Sequence, residues 1–162
     1  MFRRRSDPTP VPRWRARYDA AREVVEDRRP PEWLLGGLAE VERALTDADA
    51  DIERLAATIE RLGPERVAAD LKDALRRPAI GGEHERLVDS LRERYEAVHR
   101  LVNRREELEA TMERALTDLE VLAARAAVIG VGDDAWRLDD GVRRITDDLL
   151  ALERAHDEVA DL

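Results

Sequence analysis

Glu96-Ala-Val-His99 and Glu153-Arg-Ala-His156 are the residues of this chain whose types and spacing could do chemistry. Two Glu-x-x-His motifs on neighbouring helices, joined by lone glutamates from two more, build the di-iron carboxylate centre of four-helix bundles. The spacing does put carboxylate and imidazole on one helical face, but the register turns that face outward. With Val98 at heptad position a, Glu96 falls at f and His99 at b. A hairpin turning at residues 130–134 would also set His156 beside residue 111 or so, leaving an axial gap of about 15–20 Å to His99. A shared metal is therefore not expected.

The other candidates fail on local grounds. Asp47-Ala-Asp-Ala-Asp51 opens like a calcium loop, yet Ile52 stands where the loop needs glycine and Thr58 where it needs glutamate. Gly130-x-Gly132 follows a helical pattern rather than a strand, so it is no dinucleotide fingerprint. Ser6 and Ser90 are the only serines, and neither stands in a recognisable order with a histidine and an acid. Cysteine is absent, which excludes disulfides and thiolate metal sites. Neither an enzyme nor a cofactor is expected.

What the chain does carry is long apolar periodicity. Leu38, Val41, Leu45, Ala48, Ile52, Leu55, Ile59 and Leu62 alternate spacings of three and four. So do Val98, Leu101, Arg105, Leu108, Met112, Ala115, Leu119, Leu122, Ala126 and Ile129, and then Leu138, Val142, Ile145, Leu149, Leu152, His156 and Val159. This is the a/d seam of helices that pack lengthwise. Aromatics at 4% and charged residues at 40% fit narrow aliphatic seams on charged helices.

Prolines and glycines divide the seams into helices over about 13–28, 32–62, 64–76, 83–129 and 135–160. Pro12 is placed to open the first. Gly63-Pro64 closes the second and opens the third. The second half of the chain has no proline, so the fourth helix meets no break over roughly 70 Å. Val88, Tyr95, Val102, Leu116 and Ala123 lie beside its seam. A face of three positions per heptad suits a three- or four-helix bundle better than a two-stranded zipper. The fold expected is all-α, an elongated antiparallel helical bundle or coiled coil built on the long helix 83–129. Residues 1–30 are expected to form a basic arm and a short helix, and 31–162 the bundle.

Three seam positions are polar. Arg94, Arg105 and His156 either carry their heads out to solvent or specify register and oligomer state. The N-terminal segment is the one region whose composition suggests a role beyond packing. Residues 1–22 hold seven arginines against Asp7 and Asp19, about +5 in a chain of net −9. Trp14, Tyr18, Ala21 and Val25 share one face, and Arg13, Arg15, Arg17 and Arg22 surround it. Phe2, Arg3, Arg4 and Arg5 precede it. Such a helix can dock on its own bundle, lie on an anionic membrane surface, or enter an acidic groove of a partner.

The net charge disfavours nucleic acid as a partner. No apolar run is long enough to span a bilayer and no apolar h-region follows the first arginines, so a cytoplasmic location, with membrane-peripheral contact as the variant, is expected. The function expected is a non-enzymatic helical interaction or scaffold protein that associates with itself or with another helical protein. The alternative is a peripheral membrane or anionic-surface adaptor working through the N-terminal segment.

Overall fold

Each apolar seam becomes a helix, and each helix ends where proline or glycine demands it. The computed structural model describes residues 12–78, 81–129 and 135–160. It contains α1 (Arg13–Glu26), α2 (Glu32–Leu62), α3 (Pro64–Arg76), α4 (Gly82–Ile129) and α5 (Ala135–Ala160). Among the described residues there is no strand, so the all-α bundle expected from the periodicity is what forms. Pro12 caps α1 with its carbonyl accepting the Arg15 amide at 3.0 Å. α1 ends at Glu26, two residues short of the expected 28. The chain leaves it through Arg29 at φ 52, because Pro30 and Pro31 cannot continue a helix. At Gly63 the backbone takes φ 60, and its amide reaches the Ile59 carbonyl at 3.1 Å while its own carbonyl accepts from Val67 at 3.1 Å. One residue in the left-handed region thus closes α2 and opens α3.

The helices pack as two units. Unit 1 comprises α1, α2 as far as Leu45, α4 from Glu113 onward, and α5. Unit 2 is Thr46–Met112. The division falls inside α2 and α4, and α1 belongs to unit 1.

The core of unit 1 draws on all four of its helices. Trp14, Tyr18, Ala21 and Val25 of α1 are buried, as are Leu34, Leu38, Val41 and Leu45 of α2. Leu119, Leu122 and Ala126 of α4 and Leu138, Val142, Ile145 and Leu149 of α5 are buried as well. Leu116 and Ala123, the flanking positions of the α4 seam, are buried too. The Arg15–Glu42 and Tyr18–Leu38 contacts show α1 running antiparallel to α2. Leu122 meets Gly141 at equal distances from the α4–α5 connection, so α5 returns along α4. The one buried polar residue among those described, Thr146, returns its hydroxyl to the Val142 carbonyl at 3.1 Å.

Two glycines let these helices approach closely. A Cβ on Gly37 would lie 2.6 Å from Cγ1 of Val142, and one on Gly141 would lie 2.7 Å from Cδ1 of Leu122. The adjacent Gly36 has nothing within 4 Å of such a Cβ. Glycine inside a helix costs about 1 kcal/mol relative to alanine, a cost that Gly37, unlike Gly36, recovers through packing against a stiff, β-branched neighbour. Gly36→Ala is therefore expected to stabilise the protein by up to about 1 kcal/mol. Gly37→Ala should destabilise it by about 1–2 kcal/mol. Urea unfolding followed by circular dichroism measures both, and shifts of the same sign would contradict this account of the α2–α5 contact.

Candidate functional site

The N-terminal helix is where the sequence placed its contact residues, and α1 spends most of them within unit 1. Its apolar face is shut: Trp14 is 7% exposed and Tyr18 fully buried. The Tyr18 hydroxyl donates to the Leu38 carbonyl at 2.9 Å. Trp14 and Tyr18 meet edge to face at 6.4 Å, and the Arg15 guanidinium lies over both rings. The Trp14 indole N–H is buried without an acceptor, so this ring sits there for its apolar area, not for its polar edge.

The arginines around that face are matched by carboxylates of α2 and α4. Arg17 forks onto Glu120, with Nε at 2.7 Å from Oε1 and Nη2 at 2.9 Å from Oε2, while its Nη1 reaches Glu113 at 2.6 Å. Glu113 and Glu120 stand two turns apart on one face of α4, about 10 Å along the axis, and the planar guanidinium spans the gap. Glu42 of α2 receives both Arg15 at 2.6 Å and Arg22 at 3.3 Å. Arg22 also pairs with Glu26 at 2.7 Å. Arg13 is exposed, and Phe2, Arg3, Arg4 and Arg5 lie outside the described residues.

These contacts move titrations in both directions. Burial pushes the Tyr18 phenol up to about 12, and the nearby Glu42 carboxylate acts in the same sense. Hydrogen bonding from Arg17 holds the Glu120 carboxyl below its ordinary value, and the same bonds, first to Glu120 and then to Glu113, raise the Arg17 guanidinium.

Arg94 is exposed. Arg105 is half-buried, with Nε 3.2 Å from Glu109 Oε1 on its own helix, an ion pair without hydrogen-bond direction. The His156 side chain lies outside the described residues. Glu96 and His99 are both exposed, as the register required. The His99 ring lies against Tyr95 with 4.4 Å between centroids. No group of three or more potential metal ligands converges among the described residues.

The seams also reach a surface the candidate residues did not include. Within unit 2, Leu75 is 57% and Leu87 48% exposed. Leu71, Leu91, Tyr95, Leu101 and Val102 are only partly covered. Tyr95 and Val102 occupy the same heptad position as Leu116 and Ala123, which unit 1 buries to 3% and 4% exposure. The signal was present in the sequence, in a face three positions wide, but periodicity does not say which stretch of that face goes uncovered.

No family model matches the chain, and no curated protein or solved structure matches it either. No helix among the described residues is long and apolar enough to cross a membrane.

Tyr18→Phe removes one buried hydrogen bond and should cost about 0.5–1.5 kcal/mol. In the native protein the raised phenol favours the neutral form in the folded state. Its contribution is therefore complete below pH 10 or so and is lost as pH climbs through about 12. Stability measured from pH 8 to 12 should show that alkaline loss in the native chain and a smaller one in Tyr18→Phe. At the acid end Glu120 contributes above its ordinary carboxylate range, and the contribution disappears as pH falls through its depressed value. Arg17→Ala should remove this acid-linked term. Because Arg17 is about one-third exposed, the loss should be under about 1 kcal/mol and should shrink in high salt.

Proposed function

We propose that this chain works through helix–helix contact rather than turnover, as an interaction or scaffold protein that associates with itself through the apolar face of unit 2. The observation that carries the reading is the unequal cover of α4. Where four helices share a core, its flanking seam positions Leu116 and Ala123 are buried. In unit 2 the corresponding Val88 is buried, but Tyr95 and Val102 stay half-open, and Leu75 and Leu87 stand in solvent.

Length explains the difference. The 31 residues from Thr46 to Arg76 equal the 31 from Gly82 to Met112, enough helix to face α4 once at each level. A face of three apolar positions per heptad needs more than one neighbour. Exposed leucines gathered into one patch mark association surfaces, whereas single scattered ones do not. A second copy supplies a matching set of helices, and closed symmetric pairing is the commonest route by which a soluble chain covers such a face.

Size-exclusion chromatography with light scattering at micromolar concentration tests the reading. A dimer or higher oligomer is expected. The double variant Leu75→Glu/Leu87→Glu should shift it to monomer with its helical content kept. A native chain that elutes as a strict monomer, or a double variant that assembles as well as the native one, would overturn self-association through this face.

A further inference from the structure

We propose that α1 is an exchangeable arm: two copies of this chain trade their α1 helices, each filling the site in unit 1 that the other has vacated. The hinge is the connection between α1 and α2, Asp27 to Pro31. Arg29 within it is strained. It has φ 52, and among the described residues it is the only non-glycine with positive φ. A bulky side chain is disfavoured there, and a following proline pushes a residue toward extended backbone, with φ of about −120°. The left-handed turns at Gly63 and Gly81 fall on glycine and carry no such cost. Extending the hinge lets Arg29-Pro30-Pro31 take the polyproline conformation that its sequence favours. Short hinges under strain are the setting in which elements swap between copies.

Opening the hinge uncovers little of its own. Glu26, Asp27, Arg28 and Arg29 are exposed, and Pro30 and Pro31 partly so. The turn bonds from the Arg28 and Arg29 amides to the Val25 and Glu26 carbonyls, at 3.1 and 2.9 Å, are what must give. The contacts of α1 with the rest of unit 1 leave one copy and are remade on the other: Tyr18 on Leu38, Arg15 and Arg22 on Glu42, Arg17 on Glu113 and Glu120. Five extended residues reach roughly 17 Å, which sets the two copies end to end at the starts of their α2 helices. Val24, 38% exposed, and Trp33, 43% exposed, flank the hinge at that end, and the arriving copy covers them. Concentration sets the balance. A tethered α1 competes at an effective concentration in the millimolar range, so the closed arrangement prevails at micromolar concentration. Relief of a strained left-handed residue shifts the balance toward exchange by on the order of tenfold per hinge. Exchange therefore emerges at about a hundred micromolar and above, and it is separate from pairing through unit 2.

The test mixes two full-length populations, one carrying Arg17→Cys and the other Glu120→Cys, in a chain that has no cysteine of its own. Both also carry Leu75→Glu/Leu87→Glu, which removes pairing through unit 2. The mixture is incubated at high concentration, diluted, and treated at once with a short bismaleimide. Only α1 of one chain lying on α4 of another brings the two thiols together. A cross-linked heterodimer is expected, with a yield that rises with the concentration of incubation. Arg125→Cys in place of Glu120→Cys, an exposed position on the α5 side of α4, reports chance collision and should give little product. Arg29→Gly in both populations removes the strain and should cut the yield by roughly tenfold. The same mixture without the leucine substitutions keeps the test decisive should that background fail to fold, because the drop caused by Arg29→Gly reads exchange alone. A yield no higher than that of the Arg125→Cys control, or one that Arg29→Gly leaves unchanged, would overturn the proposal.

Discussion

A helix with apolar residues at three positions of every heptad cannot shelter them against one neighbour. That constraint, carried by α4, organises the protein. Where α1, α2 and α5 share a core with α4, positions as far apart on its circumference as Leu116, Leu119 and Leu122 are all buried. Where the chain supplies only enough helix to face α4 once, the seam residue Val98 and the flanking Val88 are covered, while the flanking Tyr95 and Val102 and the seam residue Leu87 are not fully sheltered. A short helix such as α1 is marginal alone in water. It persists here because Tyr18 and Val25 are wholly enclosed, an enclosure that stabilises by roughly 1.5–3 kcal/mol for each large apolar side chain.

Close approach and charge then refine what the seams begin. Val142 enters the space over Gly37 and Leu122 the space over Gly141. α5 is therefore held by two contacts that point in different directions from consecutive residues. On the outside, Glu42 ties Arg15 and Arg22 to α2, and Glu113 with Glu120 ties Arg17 to α4. Such exposed pairs add little stability singly. Their value lies in orientation, since a bidentate fork onto Glu120 fixes where α1 lies along α4 more narrowly than apolar contact can.

The helices were legible in the sequence to within two residues because their ends rest on backbone chemistry: Pro12, Pro30, Gly63, Pro64 and Gly81 allow few alternatives. The core face of α1 was legible as well, Trp14, Tyr18, Ala21 and Val25 all being buried. The division into two units was not, because a seam reads the same whether one helix or three lie against it. Nor was the role of Gly37 distinguishable from that of Gly36, since the sequence gives two adjacent glycines and only the position of Val142 separates them.

The basic N-terminal segment shows how a compositional signal changes meaning once its counterions are located. A cluster of arginines around Trp14 and Tyr18 reads as an affinity for anionic surfaces. In the folded chain Arg15, Arg17 and Arg22 already face such a surface, made by Glu42, Glu113 and Glu120 of the chain's own helices. An external anion would have to displace charge-assisted bonds of 2.6–2.9 Å and open the apolar face as well. Removing Tyr18 from its enclosure would also break its bond to the Leu38 carbonyl. The charge of Arg15, Arg17 and Arg22 is thus spent on holding the helix in register.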